Sequence, residues 1–133
     1  MVVLLVDAAN VVGSRPDGWW RDRAGATSRL LTRLALLPGR EVAGPEGGAV
    51  GIERVVAVVE GAARTATGPD GVEVVRADGS GDDALAGLAA ATADLLVVTA
   101  DRGLRARLPA DAVIAGPGWL LARLDEIGCA PPA

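Results

Sequence analysis

Val2-Val3-Leu4-Leu5-Val6-Asp7, continuing as Ala8-Ala9-Asn10-Val11-Val12-Gly13, begins with five apolar residues that end on a carboxylate. A run so short, rich in Val and Leu and without polar alternation, predicts a strand buried on both faces. Similar runs recur at 54–59, 72–75, 95–99 and 112–115, each bounded by charges or glycine. Segments with helical spacing lie between them. Strand–helix alternation selects a mainly parallel sheet covered by helices, with right-handed crossovers and about five strands. The expected fold class is α/β, as one domain over residues 1–133.

The first helix is expected to start near Asp17 or Trp19 and to end before Pro38 and Gly39, with Leu30, Leu31, Leu34 and Leu37 on one face. Residues 38–51, rich in glycine and proline, read as an exposed loop. The connection 61–71 has room for a short helix around 62–67 before Gly68, Pro69 and Gly71 stop it. Ser80 opens a helix to about residue 91, a short helix covers 101–108, and a last one covers 117–127, with Pro117 in its first turn.

No apolar run approaches the ~20 residues that span a bilayer, so no membrane segment is expected. Residues 1–6 lack the basic lead and small-residue cleavage site of a signal peptide, and a cytoplasmic protein is the expectation. Cys129 is the only cysteine and histidine is absent, which excludes an intrachain disulfide, the familiar zinc sites and histidine bases. All 13 basic residues are arginine. The guanidinium fork suits phosphate, although a coding bias towards Arg, Ala, Gly and Val is the simpler explanation of the missing lysine. A net charge of −4 argues against binding nucleic acid over the whole surface and leaves room for a local arginine patch.

In an open parallel sheet, ligands bind beyond the carboxyl ends of the strands. The acids track those ends: Asp7 follows 2–6, Glu60 follows 54–59, Asp78 lies past 72–77, and Asp101 follows 95–100. Asp82 and Asp83 open the next helix. Carboxylates brought together raise one another's pKa unless a cation compensates, and an all-oxygen set suits Mg²⁺ or Mn²⁺. Each acid also has a structural role open to it. Asp7 can cap a turn, Asp101 can N-cap the helix at Arg102, and Asp83 can complete a capping box with Ser80. That leaves Asp82 as the candidate ligand of the adjacent pair, with Glu60 and Asp78 as weaker candidates.

Asn10 is a candidate to orient a ligand or phosphate, or simply a turn residue. Arg15, Arg21 and Arg23 surround Trp19 and Trp20, a combination of guanidinium and flat aromatic surface that can grip a backbone and stack a base. At least one of the two indoles is expected to pack in the core. Arg102, beside Asp101, is better placed to touch phosphate.

Three stretches, residues 4–13, Ser80-Gly81-Asp82-Asp83-Ala84-Leu85 and Val97-Val98-Thr99-Ala100-Asp101-Arg102-Gly103-Leu104, resemble in order the signatures of the NYN group of PIN-like nucleases, nearest to its YacP-like subgroup. The resemblance spans nearly the whole chain. It implies a three-layer sandwich with helices on both sheet faces, and a magnesium- or manganese-dependent site hydrolysing RNA phosphodiesters. Asp7, Asp82 and Asp101 match the metal-binding acids, Asn10 the polar residue after the first strand, and Glu60 a position often held by Asp in YacP-like proteins. Asp83 is a further candidate ligand. Arg15 or Arg102 would offset charge on the phosphoryl oxygens.

Two residues after the last acid, where many NYN domains carry another, this chain has Gly103. That departure supports the alternative of a weak or degenerate domain that binds RNA, a nucleotide or a protein partner. A homodimer is equally compatible with the sequence. Rival sheet enzymes lack their residues here. Position 9 is Ala where a haloacid dehalogenase-like phosphatase needs Asp, a receiver domain's lysine is absent, and no glycine-rich turn follows the first strand.

Overall fold

Leu4 and Val6 pack with one set of helices and Val3 and Leu5 with another, as the period of two in an extended chain requires. The computed structural model that shows this describes residues 1–16 and 18–128; Asp17 and Cys129 lie outside them. The strands are β1 (Val2–Asp7), β2 (Glu41–Ala43), β3 (Ala49–Val59), β4 (Val72–Arg76), β5 (Leu95–Val98) and β6 (Val113–Ala115). The helices are α1 (Ala8–Val12), α2 (Arg23–Leu34), α3 (Gly81–Ala91), α4 (Arg102–Arg107) and α5 (Pro117–Gly128).

All pairings are parallel except that of β2 with β3. The order runs β3-β1-β5-β6, with β2 and β4 both paired to β3. The chain therefore builds outward from β1 through β3 to β4, then crosses back to lay β5 on the other side of β1. This reversal is the switch point at which such sheets bind ligands.

One face of the sheet is covered by α1, α2 and α5, through Val11, Leu30, Leu31, Leu34, Leu120 and Leu124. The other is covered by α3 and α4, through Leu85, Ala89 and Leu104. The result is the expected three-layer sandwich. Leu31, Leu34, Leu104 and Leu120 are fully enclosed, and truncating any of them to Ala costs about 2–5 kcal/mol. Among the described residues no helix is long and apolar enough to cross a membrane.

Four local differences from the sequence expectation have physical reasons. Residues 38–51 are not simply a loop: β2 and the start of β3 form an antiparallel hairpin whose Val42 and Val50 pack against the core. Its turn carries the glycines and proline that masked the strands, with Gly47 at φ +96°. The first long helix starts only at Arg23, because the Asp22 side chain accepts from the Gly25 amide at 2.9 Å and caps it. Trp19–Arg21 forms a separate 3₁₀ turn, and α1 occupies what read as a turn after Asp7. The short helix expected around 62–67 is present as a 3₁₀ turn, Gly61–Thr65.

Candidate functional site

Parallel register puts the carboxyl ends of β1, β3 and β5 side by side, since Asp7 is level with Val58 and Val6 with Val98. Asp7 is 6% exposed. One carboxylate oxygen accepts from the Asn10 amide at 3.4 Å and caps α1, and the other accepts from the Thr99 hydroxyl at 2.9 Å. Thr99, fully buried, also accepts from the Asp101 amide at 3.1 Å. Asp101 in turn receives the Leu104 amide at 3.0 Å and N-caps α4. The capping and site roles thus coincide in Asp7 and Asp101, because the backbone bonds that start each helix also fix the carboxylate at the sheet edge.

Asp82 lies in the first turn of α3 and interacts with the Asp101 carboxyl. Ser80 caps this helix through the Asp82 amide at 3.2 Å. Glu60 adds a second cap, since its Oε2 accepts from the Gly81 amide at 2.6 Å. The contact needs glycine, because a Cβ on Gly81 would lie 2.9 Å from the Glu60 carboxyl carbon. Asp7 thereby lies within electrostatic reach of Asp82 and Glu60, and Asp82 within reach of Asp101 and Glu60.

The crowding appears in their proton affinity. Burial pushes the Asp7 carboxyl above its ordinary 3.8; hydrogen bonds from Thr99 and Asn10 pull it back, and Asp82 and Glu60 add to the rise. Asp82 is raised by desolvation, then by Asp101 and Glu60, with Arg107 opposing. These are the effects expected of like charges sharing a partly dry site.

Other candidates fall elsewhere. Asp83 makes no capping box: it is exposed and pairs with Arg107 at 2.9 Å. Asp78 is fully exposed and pairs with Arg64 at 3.2 Å. Arg15 is bound by Asp125 of α5 at 2.8 Å, and Asp125 also takes Arg33 at 2.7 Å. Two guanidinium groups hold the Asp125 carboxyl down at about 2. Asn10 accepts the Ala100 amide at 2.8 Å and ties α1 to the loop before α4. Arg102 is exposed at the start of α4. Neither adjacent indole joins the core: Trp19 is half-buried and Trp20 is 52% exposed. Thr99 escaped the sequence reading, although it stands inside the third quoted motif; a hydroxyl two residues before an acid at a strand end was the available signal.

Oxygen donors alone, without sulfur or imidazole, form the donor set of a hard divalent cation, and a cation would relieve the repulsion on Asp7 and Asp82. Among the described residues, no three His, Cys, Asp or Glu side chains form a ready-made metal-holding group.

No family model matches the sequence, and no curated protein matches it significantly. Among solved structures, Rae1 (YacP) from Bacillus subtilis superposes with a TM-score of 0.68 at 23% identity, over 96% of this chain and 76% of that one. A tryptophan-to-leucine variant of the same protein gives 0.71 at 23% identity, over 96% and 77%. Rae1 is thus a structural neighbour over nearly the whole of this chain, which shares its α/β fold of a mainly parallel sheet between helices.

Proposed function

We propose that the chain is a metal-dependent ribonuclease that hydrolyses RNA phosphodiester bonds at the edge formed by Asp7, Asp82 and Asp101. The observation that carries this reading is the crowding of those carboxylates with Glu60 at the switch point, where Asp7 and Asp82 both hold protons more tightly than usual. Among the described residues neither Asp7 nor Asp101 forms an ion pair, so no arginine neutralises them. The fold shared with Rae1 and the three motifs support the same reading.

Asp7, Asp82 and Asp101 would hold Mg²⁺ or Mn²⁺, with Glu60 as a further ligand. Once bound, such an ion supplies Lewis acidity at phosphate and a more acidic water. The chain's own contribution is orientation. Thr99 and the Asn10 backbone amide fix both oxygens of Asp7, and the Leu104 amide fixes Oδ1 of Asp101. Asn10, anchored through Ala100, orients the loop before Asp101. Arg102 stands exposed beside Asp101 to offset phosphoryl charge. Arg15, engaged with Asp125, is not used in this scheme, nor is Asp83.

RNA cleavage in Mg²⁺ or Mn²⁺ tests the proposal: Asp7→Asn and Asp101→Asn should each abolish it, and parental rates in both variants would refute it. A binding-only role is favoured by one observation. A Cβ at Gly103 would lie 3.3 Å from Asp101 Oδ1, so an acid there would stand beside Asp101, and this chain lacks it. Mn²⁺ binding without cleavage of any RNA would select that reading.

A further inference from the structure

A cleft of about 370 Å³ opens next to the carboxylates, walled by Trp19, Arg23, Thr27, Glu60 and Gly61. Glu60 belongs to both places: it caps α3 within the acidic group and also lines the cleft. Three features of this wall call for a ligand of one kind.

The first is Thr27. It lies in the middle of α2, is 1% exposed and lines the cleft, and among the described residues its hydroxyl makes no hydrogen bond. Because Thr27 lines the cleft, its hydroxyl is available to a ligand bound there. It can donate to or accept from a polar atom placed in the cleft. The second is the pair Trp19 and Arg23, whose guanidinium carbon lies 5.2 Å from the indole centroid, joining a flat apolar surface to a delocalised cation. The third is the Glu60 carboxylate, which repels a free anion and accepts from N–H groups.

A flat heterocycle with hydrogen-bonding atoms on its edge meets all three conditions. It stacks on aromatic and guanidinium surfaces and bonds to a hydroxyl and a carboxylate. Phosphate alone is disfavoured by Glu60, and a purely apolar ligand would leave Thr27 unpaired. We propose that the cleft is a subsite for one unstacked base of a single-stranded RNA, held beside the bond to be cut. Placing the base in a substrate strand rests on the ribonuclease reading; base binding itself does not. A base still paired in a duplex cannot enter, so the site selects single strands or loops.

The test is titration of the intact chain with guanosine, adenosine, cytidine and uridine 5′-monophosphates, read by indole emission, with ribose 5-phosphate and inorganic phosphate as controls. At least one nucleotide should quench the emission at millimolar concentration while both controls leave it unchanged. Trp19→Ala should remove most of the quench. Thr27→Val, which replaces the hydroxyl with a methyl group of similar size, should weaken nucleotide binding about three- to tenfold, the worth of one hydrogen bond. Its thermal midpoint should not fall, since the lost hydroxyl has no partner in the fold. Quenching by ribose 5-phosphate equal to that by every nucleotide, no quenching by any nucleotide, or parental affinity in Thr27→Val would each overturn the subsite. A chain that binds nucleotides in this pattern but cuts no RNA keeps the subsite and loses the nuclease reading. One that cuts RNA without the pattern does the reverse.

Discussion

The Thr99 hydroxyl donates to Asp7 Oδ2 at 2.9 Å while its oxygen accepts from the Asp101 backbone amide at 3.1 Å, so one buried side chain joins the Asp7 carboxylate to the backbone of an acid 94 positions away in the chain. Thr99→Val keeps the shape and removes both bonds. The loss should cost about 1–3 kcal/mol in stability, because Asp7 is left short of a donor in a buried place. RNA cleavage should fall by about tenfold or more, the scale of one misoriented ligand contact. Chemical denaturation and a cleavage assay measure the two effects, and an unchanged cleavage rate would remove Thr99 from the site.

Asp7 and Asp82 have raised carboxyl pKa values, so the sign of their pH effect is fixed. The folded chain holds their protons more tightly than the unfolded one. Their contribution to stability is therefore complete below about 3.8 and is lost as pH rises through the raised values. At pH 7 without divalent ions, Asp7→Asn should raise the melting temperature by a few degrees. Mn²⁺ should raise the parent's melting temperature at pH 7 and have little effect at pH 4. A lower melting temperature for Asp7→Asn at pH 7 would contradict this account of the repulsion.

Gly81→Ala tests the close approach of Glu60. The added Cβ would sit 2.9 Å from the Glu60 carboxyl carbon and must displace it, breaking the 2.6 Å bond to the Gly81 amide. Loss of this cap should cost about 1 kcal/mol. If Glu60 is a ligand, Mn²⁺ affinity should also drop several-fold, whereas unchanged affinity would leave Glu60 with capping alone.

Asp125 titrates in the opposite sense. Its carboxyl is held at about 2 by Arg15 and Arg33, so the bridge between α5 and the segment after α1 persists above about pH 4 and is lost as pH falls through about 2. The carboxyl carbon of Asp125, followed by NMR, should show a midpoint well below 3.8. In Asp125→Asn the Arg15 and Arg33 side-chain signals should shift, and RNA cleavage should remain near parental, since the bridge lies outside the proposed site.

Gly103→Asp should place a carboxylate next to Asp101, because a Cβ at 103 is 3.3 Å from Asp101 Oδ1. Tighter Mn²⁺ binding by calorimetry is the expected result. Weaker binding would show that the acidic edge is already too crowded for another charge.

By itself the sequence determined what depends on local pattern. Apolar runs such as residues 2–6 and 95–99 specify buried strands, and Leu30, Leu31 and Leu34 specify the inner face of α2. Acids at strand ends follow from the same pattern, so Asp7 and Asp101 were legible, and Asp82 with them. The hairpin of β2 and β3 was not, because its turn chemistry obscured a pairing of only three residues on each side, Glu41–Ala43 with 49–51. Only the tertiary structure decided which charges meet. Arg15 went to Asp125 and Asp83 to Arg107, pairings 110 and 24 positions apart that no spacing rule encodes. It also decided that Thr99 links two acids and that Glu60 reaches Gly81, since both contacts exist only once β1, β3 and β5 lie side by side and their carboxyl ends share one edge.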